Sequence, residues 1–166
     1  MTAIANEARV GRGLRLSDAI AVALPLAVGA VSGALTVPGV TGWYRTVSKP
    51  TWTPPDWVFG PVWTTLYLAM GLALALVWRR RDADARLAVG LFAIQLVLNF
   101  GWSWLFFDRH AVGPAALEIV ALWLAIAATV GAFGPIDRRA AALLVPYLGW
   151  VGFASALNIA IWRLNG

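Results

Sequence analysis

The sequence predicts an all-α integral membrane protein built as a bundle of five transmembrane helices. Sixty percent of the 166 residues are apolar and 13% are charged, and the mean hydropathy is +0.73. These proportions lie outside the usual range of soluble globular domains. The chain also contains five apolar stretches, each of about 20 residues, the length that crosses a hydrocarbon core of roughly 30 Å.

The five stretches follow one another with short polar breaks, and arginine, proline or glycine bounds each of them. They cover residues 18–38, 61–78, 87–107, 111–133 and 140–162. The first follows three arginines, as a secretory signal does, but its apolar core is too long and no Ala-x-Ala cleavage site follows. We therefore expect a polar arm at residues 1–16 and a transmembrane domain at residues 17–166.

The basic residues predict an orientation in the membrane. Five crossings place the amino terminus and the loops at 79–86 and 134–139 on one side, together with nine of the 13 Lys and Arg residues. Because basic loops stay in the cytoplasm, the chain is predicted to be N-in and C-out. The net charge of +5 then reflects topology, and no nucleic-acid partner is expected.

The connection at 39–60 is unusually rich in aromatic residues and prolines. Prolines restrict the backbone, and aromatic rings with a polar tip favour a membrane interface. We therefore expect a rigid lid at the bilayer surface. Its residues of these two types are Trp43, Tyr44, Pro50, Trp52, Pro54, Pro55, Trp57 and Phe59.

Three helices carry aromatic, amide or small residues at helical spacing, so each set shares one helix face. Amides within the bilayer need partners, and these faces are therefore expected to turn inward. They either hydrogen-bond neighbouring helices or line a ligand cavity. The sets are Trp63, Tyr67 and Gly71; Gln95, Asn99, Trp102 and Phe106; and Tyr147, Trp150, Ala154 and Asn158.

Other chemistry-bearing residues are few. Glu118 is the only acid well inside a span, which makes it either a functional group or a residue near the headgroups. Gly29 and Gly33 form a small-xxx-small pattern that either tightens the bundle or joins two protomers. The chain has no cysteine and one histidine, His110, so no protein-only metal site is expected. We interpret His110 as a solvated loop residue, with axial ligation of haem as the alternative.

The ordered motifs resemble those of the TspO/MBR family, the tryptophan-rich sensory or translocator proteins, over nearly the whole chain. They extend from the lid through the second, third and fifth stretches. The matching residues are Trp43-Tyr44, Lys49-Pro50, Trp52, Pro54-Pro55, Trp57, Gly60-Pro61-Val62-Trp63, Leu66-Tyr67, Met70-Gly71, Gln95-Leu96, Asn99, Trp102, Phe106-Phe107, Pro146-Tyr147-Leu148, Trp150 and Leu157-Asn158.

The resemblance implies a five-helix bundle, commonly a homodimer, in a bacterial cell membrane. Its lid-capped pocket is expected to bind a porphyrin such as protoporphyrin IX, or haem, and no cofactor is required. Two departures from the family pattern are Pro114, where a pocket tryptophan is expected, and 157–163, which lacks the tyrosine of the cholesterol motif. The implied ligand-binding residues are Phe59, Gly60, Trp63, Asn99, Trp102, Trp150, Ala154 and Leu157.

The expected function is that of a membrane tetrapyrrole-binding sensor, carrier or regulator of porphyrin levels. One alternative is an enzyme that degrades protoporphyrin IX under light, for which the resemblance implies Trp63 and Trp150 as the catalytic residues. Another is a transporter of porphyrin, sterol or lipid. The sequence shows no inverted repeat or buried ion relay, two frequent features of secondary transporters.

Overall fold

A computed structural model describes residues 16–80 and 83–166, and the described residues form six α-helices and one π-helical turn. Five of the helices are long and apolar enough to cross a membrane, which confirms the predicted all-α, five-span architecture. The elements are α1 (Leu16–Thr41), α2 (Trp43–Thr46), α3 (Asp56–Trp78), α4 (Ala83–Ser103) with its π-helical continuation (Trp104–Asp108), α5 (Val112–Ile136) and α6 (Arg138–Asn165).

The outer surface of the bundle is apolar, as contact with lipid requires. Val97 is 71% exposed and Leu117 is 75% exposed, whereas water-soluble proteins rarely present large contiguous apolar patches. The inner faces of the same two helices bury Phe92 and Ile119. Each span therefore has one face for lipid and one for its neighbours.

The long helices run alternately up and down and form a closed ring. The most extensive contacts join α5 to α6, α1 to α3, α4 to α5 and α3 to α6. The π-helical turn at the end of α4 contacts α1 and completes the circuit. The order around the bundle is thus α1, α3, α6, α5 and α4.

Helix ends differ from the sequence prediction at the lid. Helix α1 continues to Thr41 and α3 already begins at Asp56, so the loop predicted at 39–60 is corrected to a connection at 42–55 that contains α2. The backbone of Pro55 is extended, with φ −56° and ψ 142°, and Asp56 places a carboxylate in the first turn of α3. An acid there is favourable at the positive end of the helix dipole.

The last helix also begins earlier than predicted, at Arg138. The Asp137 carboxylate caps it, accepting hydrogen bonds from the backbone N–H of Arg139 at 2.8 Å and of Ala140 at 3.4 Å. These groups are two of the amides that a helix start leaves without backbone partners. The predicted polar arm at 1–16 lies outside the described residues, except that Leu16 starts α1.

The π-helical turn widens the lid-side end of α4. The N–H of Arg109 donates to Trp104 O at 3.0 Å, and the N–H of Ala111 donates to Leu105 O at 2.9 Å. These wider bonds change the direction of the side chains that follow. As a result, both Phe106 and Phe107 reach the lid, where each packs edge-to-face on Tyr44.

An ion pair joins α1 and α3 at the end of the bundle opposite the lid. Arg79 donates to both carboxylate oxygens of Asp18, at 3.0 and 2.8 Å. Hydrogen bonding to Asp18, followed by charge attraction, raises the pKa of Arg79 above its ordinary value. Two parallel bonds of this kind fix both the distance and the relative orientation of the two side chains. They therefore hold α1 and α3 together at this end of the bundle.

Candidate ligand-binding site

The lid-side half of the bundle contains a cavity of about 540 Å³. Such a volume falls within the range of about 300–1,000 Å³ found for small-molecule pockets. Its wall is formed by α1, α2, α3 and the end of α4, and it is mostly apolar. The aromatic residues that line it are Tyr44, Phe59, Trp63, Tyr67, Trp102 and Phe107.

Two near-parallel indoles form the inner wall. The ring centroids of Trp63 and Trp102 lie 6.4 Å apart with an interplanar angle of 28°. Trp63 is also 5.6 Å from Tyr67, and Trp102 is 5.6 Å from Phe106. Separations of this size are typical of favourable aromatic packing. The cavity therefore presents broad, flat π-surfaces to a guest.

Hydrogen bonds below the cavity hold this wall in place. Tyr67 Oη donates to Asn99 Oδ1 at 2.5 Å, Asn99 Nδ2 donates to Tyr147 Oη at 3.0 Å, and Tyr147 Oη donates to Gln95 Oε1 at 3.0 Å. The chain of bonds links α3, α4 and α6. Because each bond uses a buried polar group that lipid could not satisfy, the network fixes the relative positions of the three helices.

A second pair of bonds orients Trp102 itself. Its indole Nε1–H donates to Asn158 Oδ1 at 3.0 Å, and Asn158 Nδ2 donates to Val112 O at 2.9 Å. Asn158 is thus bound on both sides, to α4 and to the start of α5. The ring plane of Trp102 is set by these contacts before any ligand arrives.

Glycines determine how closely α1 and α3 approach each other beside the cavity. A Cβ atom on Gly29 would collide with the Tyr67 ring, and one on Gly71 would lie 2.7 Å from the Val22 Cα. Both glycines therefore bring α1 and α3 of one chain together. Gly33 has open space at its Cβ position and lines the cavity. Of the two roles that the small-xxx-small pattern allowed, Gly29 serves packing within the bundle.

The lid is held by its own contacts. Lys49 Nζ donates to Tyr44 O at 2.5 Å and lies 4.5 Å from the centroid of the Tyr44 ring. Burial, and then the nearby Asp56 carboxylate, raise the pKa of Tyr44 to about 12, so the phenol stays neutral at physiological pH. Trp43 stacks on His110, with centroids 4.4 Å apart at 18°. The lysine and the histidine both support the lid.

The model of the TspO/MBR family matches residues 21–163. The tryptophan-rich protein TspO of Chlorobaculum tepidum is 45% identical over 154 residues, which cover 90% of this chain and 96% of the relative. The Homo sapiens translocator protein is 43% identical over 126 residues, covering 74% and 75%. The Cereibacter sphaeroides tryptophan-rich sensory protein is 40% identical over 136 residues, covering 82% and 84%.

The chain belongs to the TspO/MBR family. Phe59, Gly60, Trp63 and Trp102, four of the residues expected to bind ligand in a TspO/MBR protein, line the cavity together. Asn99 lies behind the wall, where it bonds Tyr67.

The three expected binding residues on α6 are not among those that line this cavity. Trp150 packs edge-to-face on Phe59 with centroids 5.8 Å apart, so it supports a lining residue from outside. Ala154 and Leu157 are buried in the core of the TspO/MBR bundle. Ligand binding by all eight residues stays a prediction.

One whole side of the cavity was not predicted from the sequence. Helix α1 contributes Leu26, Ala30, Thr36, Val37 and other residues to the lining. The sequence did contain an indication that α1 lines an interior space, because Ser32 and Thr36 are polar residues four apart in an apolar helix that also contains Gly29 and Gly33. Polar and small residues on one helix face indicate a face that turns away from lipid.

Glu118 lies apart from the cavity, between α5 and α4. Both of its carboxylate oxygens are buried and have no hydrogen-bond partner within residues 16–80 and 83–166. A Cβ atom on Gly101 would lie 3.3 Å from Glu118 Oε1, so glycine at that position makes room for the carboxylate. The same two ranges contain no group of three or more His, Cys, Asp or Glu residues that could hold a metal ion.

Proposed function

We propose that this chain is a membrane tetrapyrrole-binding protein that acts as a sensor or carrier and thereby regulates porphyrin levels. The observation that supports the proposal is the cavity of about 540 Å³ with its near-parallel Trp63 and Trp102. The names of the relatives describe tryptophan-rich sensory and translocator proteins. A flat apolar macrocycle such as protoporphyrin IX suits both the wall and those roles.

The aromatic wall supplies the recognition. Each ring that stacks on the macrocycle contributes about 0.5–1.5 kcal/mol beyond the burial of its area. Trp63 and Trp102 offer faces that are already oriented, because Trp102 is bound through Asn158. A wall that does not need to reorganise loses less free energy on binding.

The charged ends of the porphyrin are expected at the lid. Arg45 is exposed on α2 and is available to pair with a propionate. Lys49, in contrast, bonds the carbonyl oxygens of Tyr44 and Val47. Recruiting Lys49 to the ligand would therefore loosen the lid, so Arg45 is the better partner.

Titration of protoporphyrin IX into the purified protein, followed by the shift of porphyrin absorbance, tests the proposal. Trp63→Ala is expected to weaken binding about tenfold or more, because one stacked ring and its buried area are lost. Trp78→Ala is the matched control, since Trp78 lies on the same helix, is exposed and does not line the cavity. Equal affinity of the parent and a folded Trp63→Ala variant would contradict the proposal.

Light-dependent degradation of bound protoporphyrin IX is the second candidate. Trp63 supports it, because the Trp63 ring centroid lies 5.6 Å from that of Tyr67 and 6.2 Å from that of Tyr147. Either phenol could therefore donate an electron to an oxidised Trp63 indole. The other predicted catalytic residue, Trp150, does not line the cavity and packs on Phe59, which does. Illumination should yield a new absorbing product with the parent and none with Trp63→Phe; an identical decay with free tryptophan would exclude an enzyme.

The cellular setting forms part of the same proposal. The chain resides in a bacterial cell membrane. Its orientation is N-in and C-out, with the lid on the non-cytoplasmic side, because nine of its 13 Lys and Arg residues lie on the other side. It assembles as a homodimer. Labelling of single-cysteine variants in intact cells checks the orientation, and mass measurement in detergent checks the dimer.

A further inference from the structure

The cavity has an opening on the side of the bundle. Three of its lining residues on α1, Ala30, Gly33 and Val37, are exposed. They are spaced three and four apart and form a stripe beside the buried Ser32 and Thr36. The cavity is only partly enclosed, and these exposed lining residues place its opening beside α1.

The opposite rim belongs to α3, where Gly60 and Thr64 line the cavity and are exposed as well. Farther along, the gap between α1 and α3 is closed, since Gly71 meets the Val22 backbone and Gly29 meets the Tyr67 ring. Both helices are membrane spans. The opening therefore faces the hydrocarbon of the leaflet on the lid side.

The rim is chemically suited to hydrocarbon. The hydroxyls of Thr36, Thr41 and Thr64 donate to carbonyl oxygens of their own helices, Ser32 O, Val37 O and Gly60 O, at 2.9, 2.8 and 2.9 Å. With their donors used in this way, the side chains present methyl groups. Gly33 and Gly60 add no bulk, and a Cβ atom at either position would meet no atom within 4 Å.

We propose that the gap between α1 and α3 is a portal through which an acyl chain of a surrounding lipid enters the cavity and occupies it. An apolar chain that fills an apolar cavity supplies van der Waals contacts to the lining atoms, and the nearest mobile apolar material in a membrane is the lipid chain. If the cavity also binds porphyrin, as proposed above, porphyrin displaces this chain and uses the same portal.

Photolabelling in vesicles tests the portal. The protein is reconstituted in phosphatidylcholine that carries a diazirine near the methyl end of one acyl chain, irradiated, and mapped by peptide mass spectrometry. Trp102, only 7% exposed, and Ser103 on the inner wall are expected to carry label. Label confined to outward residues such as Val31 and Leu35 would overturn the proposal.

A pair of variants makes the test specific. Gly33→Leu fills the portal and is expected to lower inner-wall labelling by about tenfold, which corresponds to about 1.4 kcal/mol. Ala34→Leu is the control, because Ala34 is exposed on the same helix and does not line the cavity. Equal loss in both variants, or loss in neither, would contradict a portal at Gly33.

Adding protoporphyrin IX separates this proposal from the proposed function. Inner-wall label that falls as porphyrin is added is the expected result and supports both. Inner-wall label that persists supports the lipid portal and overturns displacement by porphyrin. Porphyrin binding by absorbance without any inner-wall label would overturn the portal and leave the tetrapyrrole function standing.

Discussion

The last residue of α6 ties the lid to the bundle, and removing its side chain should loosen the lid. The backbone N–H of Ser48 donates to Asn165 Oδ1 at 3.0 Å, and Asn165 Nδ2 donates back to Ser48 O at 2.9 Å. Asn165 Nδ2 also donates to Ile161 O at 2.7 Å, which orients the amide. One side chain thus pairs with both backbone groups of a lid residue.

The size of the effect follows from these two bonds. An intramolecular hydrogen bond contributes about 0.5–1.5 kcal/mol net, and solvent-exposed bonds belong at the lower end of that range. Losing both in Asn165→Leu should therefore cost about 1–1.5 kcal/mol. That free energy corresponds to a lid that opens about five to ten times more often. Asn165→Asp keeps the acceptor and loses the donor, so a smaller effect is expected.

Hydrogen exchange of the Ser48 amide measures lid opening without any ligand. The exchange rate should rise about five- to tenfold in Asn165→Leu, in proportion to the open fraction. Leu164→Ala is the control, because Leu164 is the exposed neighbour on the same turn. A Ser48 exchange rate that is unchanged in Asn165→Leu would refute the role of this clamp.

Three further predictions concern stability, measured by thermal unfolding in detergent. Asn99→Leu should destabilise the fold by about 1–3 kcal/mol, because it leaves the buried Tyr67 hydroxyl without its acceptor and removes the bond to Tyr147; a change below about 0.5 kcal/mol would mean that the network is not structural. Gly71→Ala should destabilise by about 1–3 kcal/mol through overpacking, whereas Gly131→Ala, which has open space around it, should be neutral or stabilising by up to about 1 kcal/mol; the reverse order would refute the close approach of α1 and α3. Glu118→Gln should raise the melting temperature, because it replaces a buried ionisable group whose charged form has no partner within the described ranges; a lower melting temperature would show that the carboxyl group makes a stabilising contact.

Inward faces could be predicted closely from residue spacing. Gln95, Asn99, Trp102 and Phe106, placed on one face of the third span, are all buried. The two interpretations of that face, structural bonding and cavity lining, both apply in part, since Asn99 bonds its neighbours and Trp102 does both. Spacing identifies a shared face, but it does not say which neighbour that face meets.

The position of the cavity could not be predicted in the same way. The expected site extended to Trp150, Ala154 and Leu157 on α6, whereas the described cavity lies on the side of α1 and α3. Tyr147 fills the space between α6 and the inner wall, packing edge-to-face on Trp63 at 6.2 Å. Which side chain fills an interior space depends on the order of the helices and on their close approaches.

The sequence by itself determined the number of spans, the inward faces and the family of this protein. Lipid cannot satisfy backbone or amide groups, so long apolar helices and inward amides leave a local, periodic pattern in the chain. The tertiary structure alone decided where the cavity opens and that Asn165 holds the lid. Those features arise from contacts between residues far apart in sequence, such as Gly29 with Tyr67 and Ser48 with Asn165, and no local pattern specifies them.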